Sequence, residues 1–370
     1  MKKFVVKLQL LIPILIAILA LNIYIDPGMI ITHKMRITKI AQFMISGRNV
    51  GMVAMPSAAS FLPLKKIVAD SIVMHRNRKL DIAVLGSSRS SEINAGLFPG
   101  KTFFNFSVGR AHIADYIEIY GYLKSQNIKP EIVIIGIDPW IGEFINSDSS
   151  DYYNDTLLPL LSSDAKPVTL ANSSPFKNEM DGLKEFCSPS YAQSAFMGLI
   201  GLLRAHRVLP LFATEKDCGI GLFIIRDDGS YSLKCASSID DEKVNAVSVA
   251  YAYKNKGHVF GEKYVANKRF NEVFEAFIRQ LEADNVKPVL FIAPIQPAAF
   301  NILLSGEPDK VEAYFKTLAN KNRIPVIGSF NAMACRLPKE NNLFLDQYHP
   351  SSIAVAKMFD KIDIGKSWVN

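Results

Sequence analysis

The sequence predicts an α/β chain: a parallel sheet covered on both faces, carrying one long insertion, behind an N-terminal apolar helix. Three observations lead there. Short apolar runs such as Leu80–Leu85 and Glu131–Asp138 are the length of strands, and too continuous to be exposed on one side. Segments of helical spacing separate them, beginning with Ala111–Gln126, where Ile113, Ile117, Tyr120 and Leu123 recur on one face. Ahead of both lies an apolar run from Leu8 to Ile25, broken only by Gln9, Pro13 and Asn22.

That first run follows Lys2, Lys3 and Lys7 and ends at Asp26-Pro27-Gly28. A helix of this length rises about 27 Å, near the thickness of a bilayer's hydrocarbon core. It reads as an uncleaved signal anchor, residues 1–28. The rival is a cleaved secretory peptide, against which Ala17 and Ala20 stand three apart rather than two. Basic residues flank both ends, so the positive-inside count is nearly balanced; the amino end inside and the bulk exported is the usual outcome.

Composition narrows the class. The 370 residues are 49% hydrophobic and 21% charged, which excludes disorder as the main state. A net charge of +7 would raise nucleic acid as a partner. Residues 1–40 hold most of that excess, with six lysines and arginines against Asp26, while the remainder of the chain is nearly neutral. The excess belongs beside anionic lipid headgroups and gives no argument for nucleic acid.

A basic and apolar connector, 29–79, includes a predicted helix over Phe61–Arg76. The α/β domain, 80–370, begins with strand Leu80–Leu85, bounded by Gly86. Thr102–Phe106 is the second strand and Glu131–Asp138 the third. Residues 141–261 interrupt the alternation with Ser/Asp-rich stretches, a helix over Tyr191–His206 and a hairpin turn at Asp227-Asp228-Gly229. Cys187, Cys218 and Cys235 fall in this insertion, which makes a disulfide within it an expectation; Cys335 lies outside. The pattern then resumes with helix Glu262–Ala283, strand Pro288–Ile295, helix Asp309–Asn320, strand Pro325–Phe330 and helix Ser351–Lys361.

Ligands of open parallel sheets bind beyond the carboxyl ends of strands. There stand Gly86-Ser87-Ser88-Arg89-Ser90, then Asn105-Phe106-Ser107-Val108-Gly109-Arg110, then Gly136-Ile137-Asp138-Pro139-Trp140. Asp346-Gln347-Tyr348-His349-Pro350 precedes the last helix. Each block alone is ordinary turn punctuation. In this order they resemble the SGNH/GDSL hydrolase superfamily, which implies a flavodoxin-like three-layer fold with no cofactor and no metal. On that resemblance Ser88 is the nucleophile, His349 the general base and Asp346 its orienter. The chemistry agrees, since a serine hydroxyl needs an imidazole to take its proton and the imidazole needs a carboxylate to hold its tautomer.

The oxyanion hole departs from the family pattern. The resemblance assigns it to Ser88, Gly109 and Arg110, but Gly109 comes one residue early and Arg110 takes a glycine's place. Asp138 stands where a donor asparagine is expected, and an ionised carboxylate cannot donate. Arg89, Asn105, Asp138 and Trp140 are candidate substrate contacts, with solvated surface as the plainer reading of Arg89 and Arg110. The altered third block, the anchor and Asp26-Pro27 resemble a narrower group, the membrane-anchored SGNH-like proteins of envelope-polymer acylation. These include the teichoic-acid D-alanyl transfer protein and relatives of the alginate O-acetylation proteins. That resemblance implies an O-acyltransferase on the outer side of the bacterial cytoplasmic membrane, acting on an envelope polymer with a multi-pass membrane-bound O-acyltransferase as partner. An anchored esterase or deacetylase and a non-catalytic scaffold of an acylation complex are the alternatives.

Overall fold

The computed structural model describes residues 2–26, 33–46, 53–55, 64–75, 78–142, 186–204, 223–233, 239–254, 268–303, 308–337 and 342–360. Five strands form a parallel sheet: β2 (Leu80–Leu85), β3 (Phe103–Asn105), β4 (Pro130–Ile137), β7 (Lys287–Ile292) and β8 (Val326–Gly328). Their spatial order is β3-β2-β4-β7-β8, the doubly wound order that reverses direction beside the first strand. Register is continuous across the centre: Val84 pairs with Asn105 and with Ile134, which pairs with Val289.

Side-chain alternation builds two cores from these strands. Ala83, Leu85, Val133, Ile135, Leu290 and Ile292 face one layer of helices. Ile82, Val84, Ile134, Val289, Phe291 and Ile327 face the other side. The first layer comprises α3 (Leu64–Met74), α4 (Ile113–Ser125), α7 (Lys268–Ala283) and α9 (Pro308–Lys321). Helix α7 shows why: Phe270, Val273, Phe274, Phe277, Ile278 and Leu281 recur at three- and four-residue steps, and all are buried. The second layer holds α10 (Ser352–Phe359), through Ala354, Val355, Met358 and Phe359.

Three joints from helix to strand end alike. Asn127, Asn285 and Arg323 adopt left-handed backbone after α4, α7 and α9. The following Ile128, Val286 and Ile324 each return a backbone N–H five residues, to Leu123, Leu281 and Ala319. Each of these apolar residues is itself buried, so one motif stops the helix and seats the next strand.

The segment expected as a connector contributes to the domain. Helix α2 (His33–Met44) buries Ile40, Phe43 and Met44, and α3 buries Ile67, Val68 and Ile72, all in the first core. Strand β1 (Val53–Met55) pairs antiparallel with β5 (Phe223–Ile225) of the insertion, which pairs with β6 (Tyr231–Ser232) across the turn at Asp227-Asp228-Gly229. The insertion adds α5 (Pro189–Arg204) and α6 (Asp241–Lys254), and the short helix α8 (Pro297–Leu303) packs on α6. Cys187 and Cys335 are free thiols; Cys218 and Cys235 lie outside the described residues.

Helix α1 covers Lys2–Ile25, with Pro13 inside it. Among the described residues no helix is long and apolar enough to cross a membrane. The side chains of residues 1–11 lie outside that description. From Ile12 to Ala20 every side chain is apolar and exposed.

Candidate active site

The turn leaving β2 carries Ser88, half-buried between buried neighbours on both sides. It is tight because it presses on β4. A Cβ on Gly136 would lie 2.2 Å from Ser90 Oγ, and one on Gly86 would lie 2.5 Å from Ser90 Cβ. Ser90 N–H bonds back to Ser87 O at 3.0 Å, and Ser91 Oγ donates to Ser88 O at 2.8 Å. Asn105, at the end of β3, closes the turn from the side. Its Nδ2 donates to Ser90 O (3.0 Å) and Ile93 O (2.8 Å), while its Oδ1 accepts from Ser107 N–H (2.9 Å).

The loop before α10 brings its imidazole to this serine. Ser88 Oγ lies 2.8 Å from His349 Nε2, across 261 residues of sequence. His349 Nδ1 lies 2.8 Å from each oxygen of Asp346. The loop is held in place by Leu345 N–H to His349 O, Ser351 N–H to Leu343 O, and Gln296 N–H to Gln347 O at the end of β7.

Burial alone would raise the Asp346 carboxyl. The facing His349 and the backbone N–H groups of Tyr348 and His349 outweigh it and hold the carboxyl at about 2. An ionised carboxylate only accepts, so Nδ1 carries the ring proton and Nε2 turns its lone pair to Ser88. This arrangement can remove a proton from the serine and stabilise the imidazolium that results.

Arg89 is not solvated surface, as its charge suggested. Its side chain is 0% exposed and braces four chain segments at once. Nη1 meets Asp138 Oδ1 at 3.3 Å, Nε donates to Tyr348 O at 3.1 Å, and Nη2 donates to Ala293 O beyond β7. The guanidinium also lies over the rings of Trp140 (5.9 Å) and Phe330 (5.4 Å). Burial raises the Asp138 carboxyl against the pull of this guanidinium. Arg89, Asn105 and Asp138 are therefore buried and bonded within the protein, with Asp138 Oδ2 left without a hydrogen-bond partner among the described residues. Trp140 is half-buried, its ring 6.1 Å from that of Tyr348. Gly109 and Arg110 form an exposed turn after β3, with Arg110 at φ +55°. Val108 N–H, bonded to Gly86 O at 3.0 Å, ties this turn to the serine loop.

One pair of residues, Glu92 and Arg226, had no sequence signal. Glu92, four residues past the serine and buried, pairs with Arg226 of the insertion at 3.0 Å. Beside it Asp228 O accepts from Asn105 N–H (2.9 Å), Asp228 Oδ2 from Ala95 N–H (2.6 Å), and Ser91 O from Tyr231 N–H (2.9 Å). A Cβ on Gly229 would meet Asn105 O at 2.4 Å, so glycine alone permits this close approach at its φ of +79°. The insertion's hairpin thus packs on the loop that carries Ser88.

Other chemistries find less. Among the described residues no group of His, Cys, Asp and Glu is placed to hold a metal ion. Burial pushes the Cys335 thiol up to about 11, which leaves it protonated and unreactive at neutral pH. An open cleft of about 380 Å³, lined in part by Lys287, Asn322 and Arg323, lies at the amino ends of β7 and β8. That is the opposite edge of the sheet from Ser88. Comparison with protein-family models and with curated proteins finds no match for this chain.

Proposed function

We propose that this chain is a membrane-anchored serine O-acyltransferase of SGNH-like type, acting on a cell-envelope polysaccharide or teichoic-acid-like polymer outside the bacterial cytoplasmic membrane. The observation that carries this reading is the hydrogen-bonded chain Ser88–His349–Asp346 at the carboxyl edge of the sheet. Ser88 Oγ attacks the acyl carbonyl while His349 Nε2 takes its proton and passes it to the leaving group. A polymer hydroxyl then gives its proton to His349 as it attacks the acyl-serine, and His349 returns that proton to Ser88 Oγ as the bond between the serine and the acyl group breaks. Asp346 keeps its charge throughout and stabilises the imidazolium. The Ser88 N–H is the oxyanion donor the turn itself supplies. The exposed apolar surface of α1 supports the anchor, and a multi-pass O-acyltransferase is the proposed acyl donor.

A fluorophosphonate probe tests the reading directly. The full-length protein should be labelled at Ser88, and both Ser88→Ala and His349→Ala should lower the rate at least about 10³-fold. Loss of envelope-polymer acylation in cells carrying either variant is expected alongside. Labelling that persists in Ser88→Ala would sink the assignment. The half-burial of Ser88 favours one alternative, an anchored esterase, because water can reach the acyl-serine. Rapid acetyl-ester hydrolysis without any acceptor would select it.

A further inference from the structure

Helix α5 of the insertion packs against the carboxyl end of α1. Tyr191 OH donates to Asp26 Oδ1 at 2.6 Å, just past the end of α1. Asn22 Nδ2 donates to Phe186 O at 2.8 Å. Ala195 is fully buried in one cluster with Ile25, and Leu21 and Leu199 pack against it. Tyr191, Ala195 and Leu199 are four residues apart, one face of a helix turned toward α1. These contacts seat α5 on the last two turns of α1, from Leu21 to Asp26.

The other flank is uncovered. Phe196, Met197 and Leu203 are 54%, 53% and 66% exposed. On α1, Ile14, Leu15, Ile16 and Ile23 are likewise at least half exposed. Helix α5 has no acidic residue, and Ala195–Leu203 is apolar throughout. As helix that stretch is about 12 Å long, comparable with one leaflet of a core roughly 30 Å thick. A helical stretch that is apolar around its whole circumference, with only one face covered by protein, is suited to hydrocarbon.

We infer that α5 is a second membrane-contacting element, seated in the outer leaflet against α1 with Phe196, Met197 and Leu203 in lipid. The inference rests on the anchor reading of α1. It gives the insertion a role: with both helices embedded, the domain that carries Ser88 is held at one height and tilt above the bilayer.

Tryptophan quenching by brominated acyl chains reads this contact. The full-length protein in phosphatidylethanolamine/phosphatidylglycerol vesicles would carry Phe196→Trp or Leu203→Trp, over the baseline of the native tryptophans. Ile16→Trp on α1 and Tyr253→Trp on α6 are the controls. Quenching of the α5 tryptophans at least twofold above that of Tyr253→Trp, with Ile16→Trp also quenched, is the expected result. Quenching of Ile16→Trp alone would overturn the membrane contact of α5 and leave the anchor standing. Quenching of neither would remove the anchor and this inference together.

Discussion

Two loops leave neighbouring strands at the same edge of the sheet, and they are built in opposite ways. In the loop after β2, from Gly86 to Ile93, only Ser88 is not buried. Three side chains hold its backbone or pin its surroundings: Asn105 from β3, Glu92 through Arg226, and Arg89 through four segments. The loop after β3 is buried up to Val108, then runs out into solvent at Gly109 and Arg110. A nucleophile must be held within tenths of an ångström of its base, and burial with complete hydrogen bonding supplies that rigidity. The second loop is tied by Ser107 N–H to Asn105 Oδ1 and Val108 N–H to Gly86 O only as far as Val108, so the difference separates a loop held throughout from one whose tip is free in solvent.

Short of removing Ser88 or His349 themselves, the largest expected effect comes from the group that orients the base. Asp346→Asn should lower fluorophosphonate labelling of Ser88 by about 10⁴-fold, because an amide neither fixes the tautomer nor stabilises the imidazolium. The same variant should change the acid limb of stability. Asp346 is held at about 2 against an ordinary 3.8, so its ionised form stabilises the fold above about pH 4 and that contribution disappears as pH falls through 2. Thermal unfolding of the wild type should therefore lose an advantage of about 2 kcal/mol over Asp346→Asn between pH 4 and 2. An unchanged gap across that window would mean the carboxylate is not ionised in this bonding pattern.

Arg89 sharpens the comparison next. Arg89→Met leaves Asp138 buried without its counter-ion, a loss on the order of 3–5 kcal/mol. It also releases Tyr348 O, one residue from the base, so labelling of the folded fraction should fall about 10²-fold. Arg89→Lys keeps the charge but cannot reach Asp138, Ala293 and Tyr348 together, and should recover stability more than rate. Equal labelling rates for Arg89→Lys and wild type would show that the fork does not position His349.

What could be read in advance follows the range of the interactions. Strands β2 and β4 stand out as continuous apolar runs, and the Asp346–His349 pair is local, three residues apart. The hairpin turn at Asp227-Asp228-Gly229 carries its own chemistry. Arg89 had no such signal: its partners lie 49, 204 and 259 residues away, and an isolated arginine in a turn reads as surface. Glu92 and Arg226 are 134 residues apart, and Tyr191 meets Asp26 across 165. The three-residue strand β1 is too short to show periodicity, and its role depends on pairing with β5. Burial of polar groups is decided by tertiary partners, which no window of sequence contains.

The smallest effects are expected in the second loop, and they bear on whether the contrast is real. A Cβ on Gly109 meets nothing within 4 Å, so Gly109→Ala should change stability by no more than about 0.5 kcal/mol. Arg110 holds φ +55°, a conformation that costs a residue with a Cβ about 1 kcal/mol relative to glycine. Arg110→Gly should recover roughly that amount in urea unfolding. It also restores the residue that the family resemblance expects. If the loop only borders the reaction, both variants should label Ser88 within about threefold of wild type. A tenfold rise in Arg110→Gly would mean that the strained turn withholds an oxyanion donor, since one such donor is worth about 10²–10³ in rate. The exposed loop would then belong to the catalytic apparatus, with its geometry completed only when substrate binds.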